Sequence, residues 1–205
     1  MQDKQGQGFL TFAHNTQDVD YVAMAHLLAL SVKRTCSINS FAVVITKGTV
    51  LTDQQRDVFD HVIEIPPVPK FYSECLAWEL TPFKETFKLE CDMIVPRSID
   101  HWWDACRLQD VVMTTNVRNY QGHVSNSRAY RRFFDDNNLL DAYNGCMYFR
   151  YSLVRRDFFN LPGKYLRIGA GCAIVLWLIA CTLNLTQMWY LVLPEQWWMS
   201  LPLYP

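Results

Sequence analysis

Two carboxylates separated by one residue, Glu90 and Asp92, are the part of the sequence best suited to chemistry. They follow the segment 86–89, whose apolar pattern predicts a buried β-strand. Side chains at positions i and i+2 of an extended backbone point to the same side, so both acids are expected to face one ligand. Carboxylate oxygens at the end of a buried strand can hold a divalent metal ion, and the ion can bind a diphosphate.

The composition is that of a globular domain with a sizeable core. The chain has 205 residues, half of them apolar, and a formal net charge of −1, so no nucleic-acid partner is predicted from charge. Its seven cysteines form neither a CxxC pair nor a Cys/His metal spacing. Free, buried thiols and a polar segment 1–8 without signal-peptide character favour a cytoplasmic location.

Short apolar segments alternate with helical patterns along most of the chain. The predicted strands are 8–13, 41–46, 61–66, 86–89, 111–115 and 141–149. The predicted helices are 20–35, 52–59 and 71–78, with a further one starting at Asp100. This order predicts an α/β fold that opens with a βαβαβ unit. Such sheets bind ligands at the carboxyl ends of their strands, where Ala13 and the acid pair are expected to lie.

For several side chains, a structural role is the simpler interpretation. The spacing on helix 20–35 predicts a buried face made of Val19, Val22, Ala23, His26, Leu27, Leu30 and Ser31. Cys91 is expected to point away from its two acidic neighbours and to pack in the interior. Trp102 and Trp103 are expected to belong to the core rather than to a platform for sugar rings.

A set of motifs occurs in a characteristic order. They are Gly8–Ala13 with Tyr21 and Leu30–Lys33, Phe59–Ile63, Leu80–Thr86 leading into Lys88–Met93, Ile99–Trp103, and Tyr143–Met147. With these motifs, residues 8–160 resemble GT-A glycosyltransferases of the small glycogenin-like and phage- or bacterial-type kind. The resemblance implies a Rossmann-like mixed sheet flanked by helices.

The resemblance also implies an activity and a cofactor. The activity is transfer of a sugar from a nucleotide-diphosphate sugar, with a UDP-sugar as the expected donor, to an unknown acceptor. The expected metal is Mn²⁺ or Mg²⁺. Asp92 matches the last acid of the family's D-x-D motif, while Glu90 stands where the family has its first aspartate.

Further residues acquire roles from the same resemblance. Ala13 and Tyr21 fall where the family binds the nucleotide base, and Lys84 is a candidate for the diphosphate or for a structural ion pair. Asn144 and Gly145 would line the sugar or acceptor side. The motifs assign no catalytic residue.

The composition changes after Asn160. Residues 161–205 contain only three of the charged residues, and the segment 168–193 contains none. It is long enough to span a membrane, which takes about 20 residues. The prediction is therefore two parts: a nucleotide-sugar-binding domain, 1–160, and a hydrophobic tail, 161–205, that forms a C-terminal helix.

Two interpretations of the tail stay open. A genuine tail makes the protein a membrane-associated transferase of envelope glycans, anchored through 168–193. Alternatively, the tail is translated out of frame, because a shifted frame turns Gln187–Tyr190 into Asp/Asn-Val-Val, which resembles the family. The transferase would then be truncated or inactive. A non-catalytic nucleotide-sugar-binding module is a third hypothesis, which the glutamate at position 90 favours.

Overall fold

The computed structural model describes residues 4, 6–68, 72–115 and 142–151. Its strands are β1 (Gln7–Ala13), β2 (Phe41–Thr46), β3 (His61–Ile65), β4 (Glu85–Leu89), β5 (Val111–Thr115) and β6 (Ala142–Arg150). Its helices are α1 (Tyr21–Thr35), α2 (Asp53–Val58), α3 (Tyr72–Cys75), α4 (Ala77–Leu80) and α5 (His101–Cys106). Each predicted strand is confirmed to within about one or two residues, which is the usual uncertainty of element ends.

The six strands form one mixed sheet in the order β3-β2-β1-β4-β6-β5. β1 pairs in parallel with β2 and with β4, and β2 pairs in parallel with β3. β6 runs antiparallel to β4, with Leu89 opposite Cys146. The predicted α/β class and the opening βαβαβ unit are therefore confirmed.

Most of the described residues belong to one compact unit, Met1–Thr114 with Asn144–Phe159. The predicted boundary at 160 and the tail 161–205 lie outside the described residues, so both stay predictions. In the described ranges no helix is long and apolar enough to cross a membrane.

An aromatic cluster fills the core between the sheet and α5. The rings of Phe9 and Phe87 meet the edge of Trp103 at centroid distances of 5.5 and 4.5 Å. Trp103 is fully buried, whereas its neighbour Trp102 is partly exposed. The core prediction is therefore confirmed for Trp103 and wrong for Trp102, because adjacent residues of a helix cannot face the same side.

The prediction for the buried face of α1 is right for Val22 and wrong for its other residues. The buried residues are Val22, Ala25, Leu28, Ala29 and Val32. Leu27 and Leu30 are 55% and 44% exposed. Ala25 and Ala29 on the buried face let the helix backbone approach the sheet closely. The predicted face instead contained the larger residues Leu27 and Leu30, which lie on the opposite side of the helix.

Local signals explain where the helices start. The Asp20 carboxylate accepts a hydrogen bond from the backbone N–H of Ala23 at 3.0 Å and caps α1. Thr52 and Gln55 form a reciprocal capping box at the start of α2. The predicted helix 71–78 is instead two short helices, α3 and α4, separated by Leu76.

Asp100 connects α5 to the loop between α1 and β2. Its carboxylate accepts hydrogen bonds from the backbone N–H groups of Ser37, at 2.9 and 3.1 Å, and Ile38, at 3.2 Å. The hydroxyl of Ser98 donates a further bond at 2.8 Å. The Ser37 N–H, as the largest cause, holds the pKa of Asp100 below its usual value.

We expect Asp100→Ala to lower the free energy of unfolding at pH 7 by about 1 kcal/mol, since these bonds are lost at a partly solvated site. The folded-state pKa is depressed, so this stabilisation is present above the unfolded value of about 3.9 and is lost as the pH falls through the folded value. The difference in the free energy of unfolding between the wild type and Asp100→Ala should therefore become smaller at acidic pH. Urea unfolding at pH 7 and near pH 3 measures it.

Asp104→Ala is the matched control for this experiment, because Asp104 lies in α5 and its highly exposed side chain forms an ion pair with Arg107. Its effect should stay within about 0.5 kcal/mol. Equal effects of the two substitutions would contradict the assigned role of Asp100.

Candidate functional site

Several of the predicted site residues lie at the carboxyl ends of the parallel strands. β1 ends at the fully buried Ala13, and β4 ends at Leu89, directly before Glu90. Because β6 is antiparallel, its first residues reach the same edge of the sheet. The backbone N–H of Glu90 donates to the carbonyl of Gly145 at 2.8 Å. The structure therefore brings Ala13, Glu90 and Gly145 to one edge.

The acid pair lies on a turn and not on an extended strand. Residues 91 and 92 form the turn, which the backbone N–H of Met93 closes by donating to the carbonyl of Glu90 at 3.2 Å. The expected i and i+2 geometry of an extended chain is therefore wrong for Asp92. The physical reason is that the pairing of β4 with β6 ends at Leu89 and Glu90.

Cys91 packs into the core between the two acids, as expected. Burial is the main reason that the pKa of its thiol is raised to about 11. The charges of Asp92, Glu90 and Glu74 raise it further. Three carboxylates thus act on the same buried thiol.

The two acids can serve as ligands for a hard divalent cation. Asp92 is exposed and Glu90 is partly exposed, so both carboxylates are accessible. Mg²⁺ in nucleotide sites is held by one or two carboxylates, with phosphates and water completing its shell, and Mn²⁺ prefers the same oxygen ligands. No group of three or more metal-binding side chains occurs in the described part of the chain. Glu90 and Asp92 fit a cation of this kind that arrives with a diphosphate.

Lys88 and Glu74 form an ion pair that the sequence analysis did not identify. The Nζ atom of Lys88 lies 2.6 Å from Oε2 of Glu74, and the two side chains are 1% and 22% exposed. Lys88 lies inside β4, two residues before Glu90 along the chain. A lysine inside an otherwise apolar strand was the one signal in the sequence that could have indicated this pair.

His14 follows β1 and bonds to the end of β2. Its Nδ1 atom lies 2.8 Å from the hydroxyl of Thr46, while Nε2 is buried and has no hydrogen-bond partner among the described residues. Burial lowers the pKa of His14, and the charge of Glu74 partly opposes this shift. The imidazole is therefore neutral at pH 7 and lies within the electrostatic range of Glu74.

Lys84 does not join the other candidates. It is exposed and precedes β4, where its backbone N–H donates to Gly6 at 3.0 Å. Six residues of nearly extended chain, or about 20 Å, separate it from Glu90. It therefore lies at the amino edge of the sheet, and a contact with a diphosphate at the carboxyl edge does not fit.

Tyr21 and Asn144 are the two remaining candidates. Tyr21 is the first residue of α1 and packs, half-buried, against the core. The loop before it is fixed by Asn15, whose side-chain oxygen accepts from the N–H of Val22 at 2.9 Å. Asn144 lies in β6, next to Gly145, and its side chain lies outside the described residues.

Comparisons with known proteins support the fold. The structure is similar to galactosyltransferase LgtC in complex with donor and acceptor sugar analogues, with a TM-score of 0.59 and 14% identity over 84% of this chain and 70% of that one. It is also similar to the bifunctional glycosyltransferase WbbM in its apo form, with a TM-score of 0.55 and 11% identity over 86% of this chain and 38% of that one. An active-site mutant of LgtC matches with a TM-score of 0.55 and 15% identity over 78% and 63% of the two chains.

These likenesses confirm the predicted resemblance at the level of the GT-A fold. The chain spans less than two thirds of WbbM and of the LgtC mutant. No protein-family model matches the sequence, and no curated protein matches it.

We expect nuclear magnetic resonance titration to give His14 a pKa below the usual value of about 6.5, because burial disfavours the imidazolium. Glu74→Gln should lower this pKa further, because the charge of Glu74 raises it. Because the pKa of His14 is depressed in the folded state, the unfolded chain binds a proton at this residue more readily than the folded protein does. The free energy of unfolding therefore decreases as the pH falls below about 6.5.

Glu79→Gln is the control for this titration, because Glu79 acts on Lys4. It should leave the His14 titration unchanged. An unchanged titration in Glu74→Gln would show that Glu74 and His14 do not interact.

Proposed function

We propose that the protein is a metal-dependent glycosyltransferase that uses a nucleotide-diphosphate sugar as its donor. One observation carries the proposal. A GT-A-like sheet places the carboxylates of Glu90 and Asp92 on a turn at its carboxyl edge, beside the end of β1 and the backbone of Gly145. Open α/β sheets bind nucleotides at this edge.

The donor would lie across the ends of β1, β4 and β6. The nucleotide base binds near Ala13 and Tyr21, and the diphosphate lies at the acid pair. The sugar then points towards Asn144 and Gly145. UDP is the expected nucleotide, as the resemblance implies.

Asp92 and Glu90 would hold Mn²⁺ or Mg²⁺, which supplies stabilisation of the negative charge that develops on the departing diphosphate. In the transfer, the bond between the anomeric carbon and the diphosphate oxygen breaks, and the acceptor oxygen forms a new bond to that carbon. The departing nucleoside diphosphate takes the electron pair of the broken bond, and the proton of the acceptor hydroxyl passes to solvent water. The carbonyl of Gly145 holds the backbone of Glu90 in place, which fixes the start of the turn that carries Asp92.

The purified full chain, incubated with Mn²⁺ and a panel of UDP-sugars, should release UDP at a measurable rate. We expect Asp92→Asn to reduce this rate by roughly 100-fold or more, because the amide is neutral and binds a hard cation weakly. Coupled detection of UDP measures it. Asp57→Asn, an identical change at an exposed residue of α2, should leave the rate unchanged.

Calorimetric titration with UDP and Mn²⁺ separates the alternatives. Binding of UDP without hydrolysis or transfer would favour a non-catalytic nucleotide-sugar-binding module. No binding of either component, or full activity in Asp92→Asn, would contradict the proposed function. Partition into lipid vesicles through the segment 168–193 would favour the membrane-associated transferase.

A further inference from the structure

The segment that follows the acid pair is bonded to a side chain of α1. The backbone N–H of Val95, which comes shortly after Asp92, donates to the hydroxyl oxygen of Ser31 at 3.0 Å. The Ser31 hydroxyl in turn donates to the carbonyl of Leu28 at 2.7 Å. Because its proton is directed towards its own helix, the hydroxyl presents its lone pairs to Val95 as an acceptor.

A second hydroxyl of α1 contacts the same residue. Oγ1 of Thr35 donates to the carbonyl of Ser31 at 2.8 Å and lies 3.4 Å from the carbonyl oxygen of Val95. Val95 is only 7% exposed and belongs to the hydrophobic core. Its backbone N–H therefore has little access to water, and loss of the Ser31 oxygen would leave this donor poorly satisfied.

The turn that carries Asp92 is thus fixed on both sides. Before the turn, the N–H of Glu90 donates to the carbonyl of Gly145 at 2.8 Å, and after it Val95 is bonded to α1. Between these points, the N–H of Met93 closes the turn by donating to Glu90 at 3.2 Å, and its side chain packs against the core. The exposed carboxylate of Asp92 takes its position from a backbone that these bonds hold.

This attachment matters when few protein ligands bind a cation. A carboxylate on a loose turn has to be ordered as the cation binds, and the apparent affinity falls with the fraction of molecules whose turn is competent to bind. Supporting hydrogen bonds that hold a ligand in place avoid this loss. The Ser31 hydroxyl is a supporting group of this kind, although it belongs to a different element from Asp92.

We propose that Ser31 is a positioning residue for the metal-binding turn. By accepting the hydrogen bond of Val95, it keeps the backbone at Asp92 in the arrangement that binds the cation together with the diphosphate. This inference rests on the proposed function. It assigns a functional role to a hydroxyl of α1 whose position in the sequence suggested only a place on the buried helix face.

Hydrogen exchange of the full chain, without metal or nucleotide, tests whether Ser31 orders the turn. In Ser31→Ala, the amide protons of Val95 and Met93 should exchange about tenfold faster than in the wild type, because the turn opens more often. Ser31→Thr keeps the acceptor oxygen and should stay within about threefold of the wild type. Nuclear magnetic resonance measures these rates. Faster exchange that is confined to Val95 would overturn the inference, since the turn would not depend on Ser31.

Titration of the same proteins with Mn²⁺ in the presence of UDP tests the consequence for binding. Electron paramagnetic resonance of free Mn²⁺ gives the dissociation constants. Ser31→Ala should weaken binding roughly fivefold, and Ser31→Thr should bind nearly as the wild type does. Thr52→Ala is the matched control, because it removes the capping hydroxyl of α2 and so also destabilises the protein. It should leave the dissociation constant unchanged.

A merely structural role of Ser31 predicts a different result. Ser31→Ala and Thr52→Ala would then both lower the urea midpoint of unfolding and both keep the wild-type dissociation constant. That outcome, or equal losses of affinity in Ser31→Ala and Ser31→Thr, would overturn the inference while the proposed function stands. A wild type that binds neither Mn²⁺ nor UDP would overturn both.

Ser31→Cys replaces Ser31→Ala should the alanine variant fail to fold. Its sulfur is a weak acceptor, so the changes in exchange and in affinity should have the same direction and a smaller size. Wild-type exchange at Met93 together with wild-type affinity in Ser31→Cys would contradict the positioning role.

Discussion

The pairing of β4 determines the arrangement of the site. This strand pairs in parallel with β1 on one side and antiparallel with β6 on the other. The parallel pair brings the carboxyl ends of β1 and β4 to one edge, and the reversed direction of β6 brings Gly145 to the same edge. The hydrogen bond from Glu90 to Gly145 is the last contact of this ladder. Beyond it the chain turns and exposes Asp92.

Packing in the hydrophobic core stabilises the register between β1 and β4. Phe9 of β1 and Phe87 of β4 are adjacent in register and both contact the buried ring of Trp103. A shift of one residue would move these rings to the opposite face of the sheet. The hydrophobic core therefore also fixes the position of the acids relative to the end of β1, and Ala13 belongs both to this core and to the candidate site.

Among the described residues, ionisable groups of both signs lie near the carboxyl edge. Lys88 supplies a buried positive charge, and Glu74 meets it from a helix that precedes β4. His14 lies within the electrostatic range of Glu74 and stays neutral at pH 7 because of its burial. Glu90 and Asp92 add accessible carboxylates to this edge, and carboxylate oxygens suit a hard divalent cation.

The sequence by itself determined the elements and the order of the fold, because strand and helix patterns depend on residues close together in the chain. It located Ala13 and Glu90 at the ends of strands and Gly145 within the strand 141–149, and the structure brought the three residues to one edge. Only the tertiary structure decided which face of α1 is buried, that Asp92 lies on a turn, and that Lys88 meets Glu74. These features depend on partners that are distant in the chain, on the small volume of two alanines and on where a strand loses its neighbour. Sequence patterns record none of these contacts.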